Sequence, residues 1–240
     1  MQTAVKEILY YPAFIMLVLA VPILIISVAV NIYSGSVDLY AGGFAKYRIS
    51  AATGIGDYQL QDVARGMVDY FDGKVQSPQV EVDIRGMKRP VYSQKELIHL
   101  EDVRKIIDMF KILEILSIIV FLVTGLYIFF KFGVSRLLKG LQAGAVVTVV
   151  FLSSVMLWSL IDFNSIFYFF HILSFSNDLW LLNPATDYLI MMFPEGFFFD
   201  AAILIIATIV VAAIVIWIAA YSAKKVLRRA EESSKGVKFG

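Results

Sequence analysis

The chain has 240 residues, of which 59% are hydrophobic and 17% charged, with no cysteine and a formal net charge of +1; its mean hydropathy is +0.76. Soluble domains run about 45–50% apolar and about 25% charged, so neither an ordinary soluble domain nor a disordered chain fits. The missing cysteines exclude disulfides, a thiol nucleophile, a thiolate metal site and a cysteine acyl-enzyme.

Four stretches meet the requirement of about 20 largely apolar residues for a membrane span. The predicted fold is an all-α polytopic membrane protein, one membrane domain with four transmembrane helices. A small extracellular cap of short helices and a short β-hairpin completes it. The first span is residues 12–32, with Pro12 and Pro22 tolerable inside a membrane helix. Its apolar run is longer than the roughly 7–15 residues of a signal-peptide core, and no A-x-A-like site follows, so an uncleaved anchor is expected.

Residues 33–108 form the first part of the cap. A Gly- and Tyr-rich stretch (Tyr33, Tyr40, Gly42, Gly43, Tyr47) is followed by helically spaced apolar residues from Tyr58 to Phe71, stopped at Gly73. Gln79-Val-Glu-Val-Asp-Ile84 alternates with period two and reads as a strand closed by Arg85-Gly86, with Val91-Tyr92 as its expected partner. Ser93-Gln-Lys-Glu96 is a capping-box pattern. It opens a helix that carries His99 and runs into the second span, 109–131.

A loop at 132–140 leads to the third span, 141–162. Residues 163–198 form the second part of the cap. Phe163 to Phe175 holds six aromatics in thirteen residues, a composition suited to the headgroup level. Asn183-Pro184 reads as an N-cap with proline at the first helical position, opening a short helix to about Met192. Pro194-Glu195-Gly196 breaks it before the fourth span, 199–223, and a basic tail occupies 224–240.

Short-loop basic residues set the orientation. Lys131, Arg136 and Lys139 flank one turn, the tail carries Lys224, Lys225, Arg228, Arg229, Lys235 and Lys238, and no Lys or Arg lies between Lys139 and Lys224. Both termini are therefore expected in the cytoplasm and the cap outside. On that arrangement ten basic and three acidic residues inside leave +7, while eleven basic and seventeen acidic residues outside leave −6. The near-zero net charge hides a strong asymmetry. The basic tail fits anionic membrane lipids rather than nucleic acid.

His99 and His171 are the only histidines, and both fall in the cap close to the expected membrane surface. Histidine suits proton transfer near neutral pH; each alone also fits a packed interfacial position. Asp102 lies three residues beyond His99 on the same helical face. It can fix the imidazole tautomer or simply complement the helix dipole. With no HExxH, no histidine pair at i,i+4 and no cysteine, neither a metal site nor a cofactor is expected. Gly-rich phosphate loops and G-x-S-x-G are absent, and the spans hold almost no polar residue that could line a transport path.

Tyr92-Ser-Gln-Lys-Glu-Leu-Ile-His99-Leu-Glu-Asp-Val103 resembles a block of a bacterial family of integral membrane proteins. Phe170-His171, Phe175-Ser-Asn-Asp-Leu-Trp180, Asn183-Pro184, Asp187 and Phe193-Pro-Glu195 resemble its second block. The family is that of the lipoprotein intramolecular transacylase (Lit). The resemblance implies an acyltransferase of the bacterial cell membrane. It would move the sn-2 acyl chain of a diacylglyceryl lipoprotein to the α-amino group of the N-terminal cysteine, giving a lyso-form lipoprotein. The family's two catalytic histidines map onto His99 and His171, with Asp102, Asn177 and Asp178 in support. Partners would be diacylglyceryl lipoproteins and membrane lipids; the oligomeric state stays open.

The chemistry fits the residues. Amine, thioether, glyceryl ester and carbonyl close an eight-membered ring, so no enzyme nucleophile is required and proximity can contribute up to about 7–11 kcal/mol. The amine must lose a proton and the glyceryl oxygen gain one. His99, oriented by Asp102, is the expected base and His171 its partner, or the reverse. Tyr168, Phe169, Phe170, Phe175 and Trp180 are candidates to hold the substrate, though each alone also fits membrane anchoring. Competing readings are a non-catalytic membrane scaffold or sensing protein and another interfacial lipid-modifying enzyme.

Overall fold

A computed structural model describes residues 2–84 and 86–237 of the chain. Arg85 and Lys238, used in the reading above, lie outside the described residues, as do the side chains of Lys6, Glu7, Glu231 and Lys235. The elements run α1 (Gln2–Ser34), α2 (Val37–Lys46), α3 (Ile49–Thr53), α4 (Asp57–Phe71), β1 (Glu81–Ile84), β2 (Met87–Pro90), α5 (Gln94–Phe132), α6 (Val134–Ile161), α7 (Phe163–Ser174), α8 (Tyr188–Met192) and α9 (Glu195–Val237). Among the described residues four helices, within α1, α5, α6 and α9, are long and apolar enough to cross a membrane. α5 changes character midway: Gln94 to Lys111 is rich in charge, and from Ile112 on only Glu114 and Lys131 interrupt the apolar run.

The chain divides into two compact units. The first comprises Met1–Val28, Ile112–Val155 and Ile206–Gly240. Large apolar side chains such as Leu19, Leu116, Val123, Val150 and Val215 are left exposed there, which is what a lipid solvent permits. Its helices approach through small residues. A Cβ at Gly140 would stand 2.7 Å from Leu17, and one at Gly144 2.7 Å from Val21, so these two glycines, one turn apart, let α1 and α6 come close.

The second unit comprises Ala29–Lys111 and Met156–Ile205. Its core gathers Ile49, Ile55, Val63, Val82, Leu100 and Met192, among others. α4 contributes Leu60, Val63, Ala64, Met67, Val68 and Phe71, the i, i+3, i+4 face of an amphipathic helix. β1 and β2 pair antiparallel, Val82 opposite Arg89 and Ile84 opposite Met87. Val82 and Ile84 are buried and β2 is exposed throughout.

Two local expectations change, and one stretch left without an expectation takes form. The strand partner of β1 is Met87–Pro90, not Val91-Tyr92, because the tight turn brings the residues directly after Gly86 (φ +83°) into register. Val91 N–H still donates to Val80 O at 3.0 Å, and the Gln79 amide pairs with both backbone groups of Tyr92. Asn183-Pro184 forms a turn rather than a helix start. Asn183 Oδ1 accepts from Ala185 N–H, and α8 begins four residues later behind Asp187. The Gly- and Tyr-rich stretch is helical: Ser36 Oγ accepts from Leu39 N–H at 3.2 Å and starts α2.

Gly42 and Gly43 sit side by side in α2 in opposite surroundings. Nothing stands within 4 Å of a Cβ at Gly42, whereas one at Gly43 would fall 2.3 Å from the Phe197 ring. Phe197 is buried and packed on Tyr40 and Phe193. Gly42→Ala is expected to stabilise the protein by about 0.5–1 kcal/mol through helix propensity. Gly43→Ala is expected to destabilise it by about 1–3 kcal/mol through overpacking. Thermal unfolding of the detergent-solubilised protein should shift the melting temperature in opposite directions.

Candidate functional site

The site is assembled within the second unit from α5, α7 and the segment that follows α7. α5 opens with the anticipated capping box: Ser93 Oγ accepts from Glu96 N–H, and Glu96 Oε2 accepts from Ser93 N–H at 2.7 Å. Glu96 is only 1% exposed. Its second oxygen, Oε1, accepts from Leu189 N–H of α8 at 2.6 Å. One buried carboxylate thus satisfies the starts of two helices, and His99 follows one turn later.

α7 starts behind Asp162, whose carboxylate accepts from Ser165 N–H at 3.1 Å. Its last turn carries His171. The His171 Nδ1 lies 2.7 Å from the Phe167 carbonyl oxygen. A carbonyl only accepts, so Nδ1 holds the proton and the neutral ring keeps its lone pair on Nε2.

The two imidazoles face each other, ring centroids 6.3 Å apart and planes 26° from parallel. Phe175 touches both, at 5.0 Å from His99 and 5.6 Å from His171. Trp180 lies 4.8 Å from His171 and Phe167 4.4 Å. Both histidines are buried. Burial lowers the His99 pKa to about 4; the neighbouring His171 adds to the shift, and Asp102 only partly opposes it. Burial lowers His171 as well, against the Phe167 hydrogen bond. Each ring is therefore neutral near pH 7.

The expected bond between Asp102 and His99 is not made. Asp102 accepts instead from Asn177 Nδ2 at 2.9 Å and from Lys105 at 3.1 Å, and these hold its pKa below the ordinary carboxylate value. His99 Nδ1 is buried without a hydrogen-bond partner among the described residues. Asn177 Oδ1 accepts from Leu179 N–H, so Asn177 fastens the segment after α7 onto α5. Asp178 is exposed and makes no side-chain hydrogen bond among the described residues.

His99 and His171 line a cavity of about 380 Å³ in the second unit, a size typical of small-molecule pockets. Most of its wall is apolar, with Met67, Phe71, Leu182, Leu189 and Phe193 among the contributors. Of the aromatic candidates Trp180 lines it. Tyr168, Phe169 and Phe170 are largely exposed, and Phe175 packs between the histidines. Sequence reasoning missed Phe167, Asn164 and Glu195 as cavity residues. Phe167 was within reach, one helical turn before His171, and Glu195 stands in the second family block; Asn164 carried no signal beyond position. Among the described residues no group of three or more metal-ligating His, Asp or Glu stands together.

The depressed His99 pKa makes stability depend on pH. In the unfolded chain His99 takes up a proton near pH 6.5, but in the fold only near pH 4. The unfolded state then binds more protons between these values, so stability falls as pH drops from 6.5 toward 4 and levels off below. His171 acts in the same direction. Thermal unfolding across pH 4–8 should show this acid-side loss, with a shallower slope in His99→Gln.

A family model described as "Lipoprotein intramolecular transacylase Lit" matches residues 14–198. The comparison with curated proteins returns no match. Among solved structures the chain is similar to the membrane-integral lipoprotein intramolecular transacylase Lit of Bacillus cereus. That match has 22% identity over 95% of this chain and 99% of the other, with a TM-score of 0.77. Variants of that protein with a histidine replaced by arginine or by alanine match at 21% identity. They cover 97% of this chain and 98% and 100% of theirs, with TM-scores of 0.75 and 0.76.

Proposed function

The chain belongs to the lipoprotein intramolecular transacylase family, a family of membrane-integral acyltransferases, and from that premise we propose that His99 and His171 catalyse its acyl transfer by general acid–base chemistry. The observation that carries this reading is the pair of neutral, facing imidazoles at the wall of one apolar cavity. The substrate is a diacylglyceryl lipoprotein, and the acyl group moves from the sn-2 glyceryl oxygen to the α-amine of the N-terminal cysteine.

His171 is the base, the reverse of the first assignment, because the Phe167 carbonyl fixes its tautomer. Its Nε2 lone pair takes a proton from the amine as nitrogen attacks the ester carbonyl. His99, neutral and lining the cavity, donates a hydrogen bond from its ring N–H to the carbonyl oxygen as negative charge develops there. The C–O bond to glycerol then breaks, and His171 returns the proton to the departing glyceryl oxygen. The products are an amide and a free hydroxyl, with no acyl-enzyme. Asp102 and Asn177 act by holding the segment after α7 against α5.

The protein sits in the bacterial cell membrane with its termini in the cytoplasm and its site on the outer face. The Lys and Arg asymmetry between segments supports this sidedness.

His171→Ala is expected to lower conversion by about 10²–10⁴-fold, the usual worth of a positioned base. His99→Ala is expected to lower it by about 10²–10³-fold, as for a lost oxyanion donor. Mass spectrometry of the N-terminal lipopeptide of a co-expressed reporter lipoprotein measures both. Full conversion by either variant would overturn its assigned role.

A further inference from the structure

The cavity contains one group that the acid–base scheme leaves idle. Glu195 lines it and is the only acidic residue of the lining among the described residues. It is solvent-exposed, which places it at the rim, and it is the first residue of α9. It makes no hydrogen bond or ion pair among the described residues. Of the other acids near the site, Glu96 is engaged with two backbone N–H groups, Asp102 with Asn177 and Lys105, and Asp200 with Lys46 and Tyr47; Asp178 also lacks a side-chain partner among the described residues but does not line the cavity.

The nucleophile arrives charged. An α-amino group has a pKa of about 7.7–8.0, so near neutral pH most of it is ammonium. Moving an unpaired ammonium into an apolar cavity is strongly disfavoured. The two histidines cannot compensate it, because both are neutral there. An unpaired carboxylate on the same wall can.

We propose that Glu195 is the binding residue for the α-ammonium of the substrate's N-terminal cysteine, an inference that rests on the transacylase reading. The carboxylate pairs with the ammonium at the rim, the ammonium's extra proton passes to water there, and His171 takes the second proton from the neutral amine as it attacks and returns it to the glyceryl oxygen. The same contact makes the site selective: a lipoprotein with a free α-amine is held, and the N-acylated product, which has lost that charge, is not.

A first-turn glutamate also complements the helix dipole, a role that affects folding but not amine recognition. The test therefore measures recognition without turnover. Two ether-linked dialkylglyceryl cysteinyl peptides, one with its α-amine and one with that amine replaced by hydrogen, are titrated against the full-length detergent-solubilised protein at pH 7. The wild-type protein is expected to bind the amine-bearing peptide about tenfold to hundredfold more tightly. Glu195→Gln should bring the two affinities together while leaving that of the des-amino peptide unchanged, and Glu195→Asp should keep part of the preference. The inference is overturned if Glu195→Gln keeps the full preference, if it weakens both peptides equally, or if the wild type does not distinguish them. Wild-type protein that binds neither peptide would overturn the transacylase reading as well.

Discussion

The Glu96 carboxylate, buried to 1% exposure, accepts one N–H from Ser93 and one from Leu189. Charge-assisted hydrogen bonds of this kind are worth about 1.5–3 kcal/mol each. What they organise exceeds their energy. α8 has five residues, too few to be stable alone, and its first turn is tied to α5 by this contact. The same carboxylate closes the first turn of α5 three residues before His99. The phase of α5, and with it the direction of the imidazole, is set where two segments about ninety residues apart in sequence are joined by one side chain.

Around that contact the site works by withholding water. Two histidines in solution would share a pH range with their surroundings. Here burial keeps both neutral, and their mutual proximity lowers His99 further. Neutral imidazoles can divide the work of base and hydrogen-bond donor only if something distinguishes them. The difference is the partner of Nδ1: a carbonyl oxygen for His171 and none for His99. An unsatisfied buried nitrogen costs about 1–3 kcal/mol, and His99 carries that cost within the fold.

Much of this was legible from sequence where the signal was local. The four apolar runs, the capping box and the amphipathic face of α4 needed only periodicity and charge. Legibility failed where a distant partner decided the outcome. Asp102 was matched to His99 because they share a helical face, but Asn177, seventy-five residues away, and Lys105 take the carboxylate. Asn183-Pro184 has the chemistry of a helix start, yet Asp187 Oδ2 accepts from the Asn183 N–H and holds a turn there. α2 was hidden by Gly42 and Gly43; the second of these is explained only by the Phe197 ring, more than 150 residues on. The tautomer of His171 lay in between, resting on a four-residue spacing within one helix.

That spacing governs what happens when the site loosens. The group that fixes the His171 proton belongs to the same helix, one turn away. It therefore does not depend on α5, on Trp180 or on a bound lipid. If α7 drew back to admit a bulky two-chain lipid, His171 would keep its proton on Nδ1 throughout. The facing geometry with His99 would be lost and re-formed without any tautomer exchange. The tautomer of His171 is set in advance by its own backbone, and only what faces the ring changes.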